Sequence, residues 1–277
     1  MENEILETTE IIDTAVVYQS DKAAIDVQIA TAKAYPRSIK RAMENALAIA
    51  TMDRETAETC NYSLPRGGKP ISGPSVHLAR ILIQQWGNIR AESEVIGTDA
   101  THVTSRAVCW DLESNIAIKV TVKRSIMGKH GRYNEDMISV TGNAGNSIAF
   151  RNAVLAVIPK SVVNKVYNAA KEVITGDISD KNKLIAKRKQ VMDALRETYG
   201  VTEKEILSAI GKASIDHITG DDILVLIGIG QSIKDGDTTV DQAFRKDIKI
   251  ASDATKKAAD DLAEKLKTKA ATQTSIV

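Results

Sequence analysis

The chain has few aromatic residues, two cysteines and no long apolar run. Aromatic residues make up 4% of its 277 residues, whereas Ala, Ile and Val are abundant, a composition that fits helices packed on a modest sheet. Cys60 and Cys109 lie far apart without a CxxC motif, which favours buried thiols in a reduced intracellular protein. No apolar stretch reaches membrane-spanning length, and the acidic N-terminus is unlike a signal peptide. We therefore expect a soluble, cytoplasmic protein without a membrane partner.

The sequence also lacks the common catalytic motifs. The pair Gly128-Lys129 precedes His130 and has no upstream glycine, so it does not form a P-loop. The histidines show neither the HExxH motif nor another paired metal-ligand spacing, and no G-x-S-x-G motif is present. The Asp pairs at 221–222 and 260–261 fall in helix-cap and tail contexts. We expect no catalytic residues, no metal and no cofactor; an enzyme with an unrecognised site is the remaining alternative.

Positive charge is concentrated in the middle of the chain, although the net charge is only +1. Residues 33–171 contain 19 Lys and Arg against 11 acidic residues. Residues 1–32 contain one Lys and seven acidic residues, and residues 172–277 contain 17 basic and 18 acidic residues. This segregation favours a body that binds a polyanion, with acidic or neutral segments on either side.

The segment from Ser114 to Asn134 contains no acidic residue and gives the sharpest functional signal. Its first half alternates apolar and polar residues, which predicts a strand with one apolar and one partly basic face. Tyr133 follows the basic loop and could stack on a base. Each basic residue alone also fits a solvated surface charge. The candidate DNA-binding residues are Arg66, Lys69, Arg80, Lys119, Lys123, Arg124, Lys129, Arg132, Tyr133 and Arg151.

Hydrophobic periodicity predicts an α+β fold. Helical spacing over residues 38–56 precedes a Gly/Pro-rich loop, and a second helix, with Pro74 in its first turn and Ser72 or Gly73 as cap, ends at Gly87. Strands are expected over 89–96, 102–110 and 116–123, and helical spacing returns until Pro159. The predicted core is therefore a helix, a three-stranded antiparallel sheet and a helix. Gly142–Asn146 should precede that last helix, where it could cap the helix or bind a phosphate.

Four segments follow from these patterns. Residues 1–32 form an acidic, mobile N-terminal segment, and residues 33–175 form the DNA-binding core. Residues 183–245 form a helical module, because Thr202-x-x-Glu205, Thr219-x-x-Asp222 and Thr238-x-x-Asp241 resemble capping boxes. Residues 246–277 are rich in Lys, Asp and Ala and form a charged, disordered tail.

The order of several short motifs resembles phage single-strand annealing proteins of the RecT/Redβ type. The resemblance covers about residues 35–170 and lies in the Gly-rich loop, Ser72-Gly-Pro-Ser-Val-His-Leu-Ala-Arg80, Trp86-Gly-Asn88, Cys109-Trp-Asp-Leu-Glu113, the basic loop and Asn146-Ser-Ile-Ala-Phe-Arg-Asn-Ala-Val-Leu-Ala-Val-Ile-Pro159. It implies a Redβ/Rad52-like core that binds single-stranded DNA and pairs complementary strands without ATP. Arg151 matches a family position on a basic helix; that helix is less basic here, which shifts the expected contacts toward Lys119–Arg132.

The resemblance further implies a homo-oligomer, as a ring or helical filament, in the cytoplasm of a bacterial host cell. The expected ligands are single-stranded DNA and the annealed duplex intermediate. A phage exonuclease or the host single-strand binding protein is a possible partner of residues 183–245. The alternative is a non-enzymatic nucleic-acid-binding or phage assembly protein without annealing activity.

Overall fold

The computed structural model describes residues 14–65, 70–128, 131–176, 178 and 180–245. The helices are α1 (Thr14–Ala34), α2 (Ile39–Ala50), α3 (Arg54–Thr59), α4 (Val76–Trp86), α5 (Glu135–Val157), α6 (Lys160–Thr175), α7 (Lys181–Tyr199), α8 (Glu203–Ala209) and α9 (Gly220–Lys234), with a 3₁₀ turn at Ile215–His217 and a π-helical turn at Asp241–Arg245. The strands are β1 (Asn61–Leu64), β2 (Ile71–Pro74), β3 (Ile89–Thr98), β4 (His102–Asp111), β5 (Ile116–Ser125), β6 (Met127–Gly128) and β7 (Gly131–Arg132).

Strands β3, β4 and β5 form the predicted three-stranded antiparallel sheet, in that spatial order. Burial alternates along β4, with the odd-numbered residues from Val103 to Asp111 buried. Because residues opposite each other in an antiparallel pair share a face, Val120 opposite Ala107 also points inward. Asn115 adopts φ 55° in the turn that joins β4 to β5. The mixed α+β architecture and the antiparallel sheet are thus confirmed.

Helix α5 covers the inner face of this sheet, and its small residues let it approach closely. A Cβ atom on Gly145 would lie 2.5 Å from Ser105 Oγ, and one on Gly142 would lie 3.0 Å from Val95 Cγ2. The expected position of Gly142–Asn146 before a helix is wrong, because α5 begins at Glu135 and is capped by the side chain of Asn134. These glycines therefore serve helix–sheet packing inside the helix, where helical backbone hydrogen bonds occupy the amides expected to bind phosphate.

A helical layer of α2, α4 and α6 packs behind α5 around one hydrophobic core. Helix α4 begins at Val76, and its N-cap is Ser75, whose hydroxyl accepts hydrogen bonds from the amides of His77 and Leu78. The expected caps Ser72 and Gly73 lie instead in strand β2, together with Pro74. Both cysteines are buried and free, as expected. Burial raises the pKa of the Cys60 thiol to about 12 and that of Cys109 to about 11.

The C-terminal module forms a second hydrophobic core from α7, α8 and α9. The capping boxes at Thr202 and Thr219 are both present, whereas the third pattern forms the π-helical turn. The module is not separate from the first core, because Asn61 on β1 donates a hydrogen bond to the Leu224 carbonyl on α9 at 2.9 Å. Tyr167 on α6 donates a hydrogen bond to the Asn61 side chain at 2.6 Å. Asn61 therefore links the C-terminal module to the first core.

The N-terminal segment differs from the expectation of a weakly patterned, mobile chain over residues 1–32. Residues 14–34 form helix α1, which is rich in the strong helix former Ala but has little hydrophobic periodicity. Residues 1–13 and the predicted tail over 246–277 lie outside the described residues.

Arg37 joins the end of α1 to the turn between β4 and β5. Its guanidinium donates hydrogen bonds to both oxygens of Asp111 and to Glu113 Oε1, and it lies 5.1 Å from the centre of the Trp86 ring. The Arg37 and Asp111 side chains are 8% and 10% exposed. Burial alone would raise the pKa of Asp111, but hydrogen bonds from Arg37 and the Ser114 amide hold it below its usual value. The ion pair therefore stabilises the ionised carboxylate.

Replacing Asp111 by Asn should destabilise the fold at neutral pH by about 3 kcal/mol, because it leaves Arg37 buried beside a single carboxylate. A carboxyl with a lowered folded pKa contributes stability above its unfolded pKa, and that contribution disappears as pH falls through the folded pKa. The difference between wild type and D111N in urea unfolding should thus shrink at acidic pH. E94Q, which breaks an exposed pair with Arg106, is the control; an equal loss for D111N at both pH values contradicts this account.

Candidate nucleic-acid interface

The sheet has an open face, defined as the side opposite α5, and it carries two of the predicted lysines. Lys119 lies opposite Val108 and Lys123 opposite Thr104 in the β4–β5 register, so both point away from α5. Both lysines are exposed, and neither forms an ion pair with another described residue. Since residues four apart on a strand are about 13 Å apart, the two lysines mark a line along the β5 edge. The prediction that they share a face is confirmed.

The opposite edge of the open face carries two ion pairs. Glu92 and Glu94 on β3 pair with Arg90 at 2.5 Å and with Arg106 at 2.6 Å. These arginines are therefore neutralised, and the uncompensated positive charge of the open face lies on β5. Arg106 is not among the predicted DNA-binding residues, although the alternation along β4 assigns it to this face.

Trp110 also belongs to the open face. It lies opposite Arg90 on β3 and Ala117 on β5, is half-buried, and donates its indole N–H to Asn115 Oδ1 at 3.2 Å. Beside it lies the small, exposed residue Ala117. Trp110 places an aromatic ring on this surface. It is not among the predicted site residues, because it precedes the basic segment from Ser114 to Asn134 from which most of them were chosen.

Arg124 does not share the surface of Lys123. It is the next residue along β5, points to the α5 side opposite Val103, and donates a hydrogen bond from Nη2 to the Asp237 carbonyl at 3.1 Å. The expectation that Lys119, Lys123 and Arg124 are all solvated is therefore corrected for Arg124. Its side chain reaches the C-terminal module, a contact across 113 residues that short-range patterns do not reveal.

Arg151 is also withdrawn from solvent. It is 8% exposed, and its guanidinium carbon lies 4.2 Å from the centre of the Tyr62 ring. A guanidinium over an aromatic face gains a cation–π interaction, so the described conformation gives Arg151 a packing role. Its resemblance-based assignment as a surface contact to DNA is not supported by this placement.

The remaining candidates are scattered. Arg132 is exposed but lies 3.6 Å from Glu135, and Tyr133 packs against Val103, Ile126 and Ile138, which leaves its ring less free to stack. Arg80 is exposed on α4, which contacts α2 and α5 on the helical side of the sheet. Arg66, Lys69 and Lys129 lie outside the described residues.

A second basic surface lies at the start of α7. The run from Lys181 to Lys189 contains five basic residues and no acidic one, which a count over residues 172–277 concealed. Lys181 and Lys189 are exposed. Burial and the nearby charge of Arg54 lower the pKa of Lys187. Because α7 packs on α9, this surface is on the helical side and is separate from the open face.

Two aspartates of the C-terminal module meet three cationic or titratable side chains of the core. His77 Nε2 lies 2.9 Å from Asp235 Oδ1, and Asp237 is 7% exposed beside Arg124 and Arg151. Burial raises the pKa of Asp237, and Asp235 adds to this rise, while the two arginine charges oppose it. The junction between module and core is therefore a buried electrostatic cluster.

The described residues contain no group of three or more His, Cys, Asp or Glu side chains placed to hold a metal ion. Among the helices of the described segments, none combines the length and apolarity needed to cross a membrane. Comparison of the chain with protein-family models, curated proteins and solved structures gives no match.

The placements of Lys119, Lys123 and Arg124 predict different effects on stability. K119A/K123A should change the free energy of unfolding by less than about 0.5 kcal/mol, because both side chains are solvated. Arg124→Ala should cost about 1–3 kcal/mol, because it removes a partner from the buried Asp237 segment. Urea unfolding of the three proteins measures both quantities, and equal losses for the lysine and arginine variants would show that Arg124 is not engaged as described.

Proposed function

We propose that the protein binds single-stranded DNA and anneals complementary strands without ATP. The observation that carries this proposal is the lysine edge of the open face, where Lys119 and Lys123 have no acidic partner among the described residues. Lysines that hold phosphates leave the base edges free to pair with a second strand. The stretch from Ser114 to Asn134, which contains no acid, and the motif order that resembles RecT/Redβ annealing proteins support the same choice.

The open face offers both parts of a single-strand binding surface. Lys119 and Lys123 supply charge along β5, and Trp110 supplies an aromatic ring beside the small residue Ala117. Phosphate contacts combined with base–aromatic stacking give binding with little sequence preference. The open face of the sheet is thus the part of the proposed Redβ/Rad52-like core that faces DNA, with α5 packed behind it. The proposed mechanism contains no covalent step, which makes the protein a non-enzyme.

Binding and strand pairing can be tested with fluorescent oligonucleotides. The wild type should bind a thymidine homopolymer with an affinity that falls steeply with salt, and K119A/K123A should reduce the magnitude of the log–log salt slope by about 1.4 because two phosphate contacts are lost. K160A/K165A removes two exposed lysines of α6 and is the matched control. Annealing of complementary strands should proceed without ATP and slow in K119A/K123A only.

Two results would redirect the proposal. Binding without acceleration of annealing would favour the alternative, a non-enzymatic nucleic-acid-binding or phage assembly protein. Equal effects of the two lysine pairs would mean that the open face is not the DNA surface, and the basic start of α7 would then be the next candidate.

We further propose that the protein acts as a homo-oligomer, a ring or a helical filament, in which α1 packs on a neighbouring copy. Val27 is a large apolar residue of α1 that is 66% exposed, whereas Ile25, Ile29 and Ala32 share a helical face that the rest of the chain covers. Isolated helices are marginal in water without packing, and residues 1–32 are acidic whereas the body is basic. Head-to-tail contacts of this kind close into rings or continue as filaments. Residues 183–245 remain the proposed site for a nuclease or host single-strand binding protein.

Sedimentation velocity tests the assembly. The wild type should form large particles whose size changes when complementary strands are added in sequence, and V27D should reduce that size because it places charge on the exposed apolar residue of α1. K22Q changes the charge by the same amount at another exposed position of the same helix and should assemble normally. A wild type that stays monomeric with no strand, one strand and both strands, yet still anneals, rules out this assembly.

A further inference from the structure

The loop after α9 contacts His77 and Arg124 of the first core. Gly236, with φ 74°, forms the turn between Asp235 and Asp237. Asp235 Oδ1 accepts a hydrogen bond from Gln231 at 2.8 Å and lies 2.9 Å from His77 Nε2. The Asp237 carbonyl accepts from Arg124, and the Asp237 carboxylate lies within the electrostatic reach of Arg124 and Arg151. One short loop therefore contacts α4 and β5 and lies beside α5.

The two carboxylates of this loop use only part of their hydrogen-bonding capacity. Asp235 Oδ2 and Asp237 Oδ1 are both buried, and neither accepts a hydrogen bond from the described residues. A buried carboxylate without full hydrogen bonding costs free energy that offsets its attraction to nearby cations. Burial also raises the pKa of Asp237 despite the two arginines. Part of the cost of burying these carboxylates is thus left uncompensated, which favours displacement of the loop by a competing anion.

The sequestered arginines lie next to the proposed DNA surface. Arg124 and Lys123 are consecutive on β5, an edge strand of the sheet, so their side chains flank the same edge. The Asp237 loop covers Arg124 from the helical side, and the same carboxylate faces Arg151 on α5. A strand bound along Lys119 and Lys123 would pass Arg124 at the edge of the sheet.

We propose that Asp235–Asp237 forms an autoinhibitory contact that competes with DNA phosphates for Arg124 and Arg151. In the described state the Asp237 carbonyl occupies Arg124 and the Asp237 carboxylate lies near both arginines, and DNA binds through the open face alone. Displacement of the loop frees both guanidinium groups to take phosphates, which tightens the hold on the strand. The C-terminal module thereby sets how firmly the core holds DNA. This inference rests on the proposed function of the open face.

Asparagine variants of the loop provide the test, with a fluorescent thymidine homopolymer as the probe. D235N/D237N should lower the Kd several-fold and increase the magnitude of the log–log salt slope by about 1.4, because two further phosphate contacts form. E197Q/E203Q changes the net charge equally through exposed residues of the same module and should leave the slope unchanged. Adding R124Q to D235N/D237N should remove about half of the slope increase.

The outcomes separate the two proposals. If D235N/D237N leaves the slope unchanged while K119A/K123A still reduces it, the loop is only structural and the open face remains the DNA surface. An equal increase of the slope in E197Q/E203Q would assign the effect to net charge and overturn autoinhibition. If wild type does not bind the probe, both proposals are wrong.

A measurement on the wild type covers the case in which the asparagine variants fail to fold. The amides of Asp235 and Asp237 donate to the carbonyls of Gln231 and Ser232, both at 2.9 Å, so their hydrogen exchange reports on the loop. Saturating probe should accelerate exchange over residues 231–238 if DNA displaces the loop. Unchanged or slower exchange there, with protection appearing on β5, would overturn the proposal.

Discussion

The close approach of helix α5 to the sheet is the constraint on which the rest of the structure depends. Ser105 Oγ donates a hydrogen bond to the Gly142 carbonyl at 3.2 Å, and the space beside it has no room for a side chain on Gly145. The pleat sends successive residues of β4 and β5 to opposite faces, and α5 buries one of these faces, which leaves the other face open. The lysine edge, the ion pairs of Glu92 and Glu94, and Trp110 therefore share the face that α5 leaves open.

Local patterns were sufficient to predict the elements of the core but not the partners of their charged residues. Alternation located β4 and β5, and it correctly placed Lys119 and Lys123 together. The same alternation puts Arg124 on the opposite face, but grouping residues by their proximity in sequence hid this. The burial of Arg151 over Tyr62 and the bond from Arg124 to Asp237 depend on tertiary packing between distant segments. Such contacts have no short-range signature in one sequence.

The helices also show some features that local sequence patterns predict and others that depend on tertiary packing. Side-chain caps are local, so the Thr202 and Thr219 boxes were predictable. Helix α1 has high intrinsic helix propensity but little amphipathicity, and a search for hydrophobic periodicity passes over such a segment. The glycines at 142 and 145 suggested a loop or cap because glycine is unfavourable inside helices. Only the position of the sheet shows that their lack of a side chain is needed there.

The two cysteines have a practical consequence for following the protein in solution. Thiols react as thiolates, and burial suppresses ionisation of both Cys60 and Cys109 by raising their pKa to about 12 and about 11. A cysteine introduced at an exposed position, such as Ser125 at the end of β5, would keep an ordinary thiol pKa and react far faster at neutral pH. A single fluorophore can therefore be attached beside the lysine edge without replacing either native cysteine, which leaves the hydrophobic core intact.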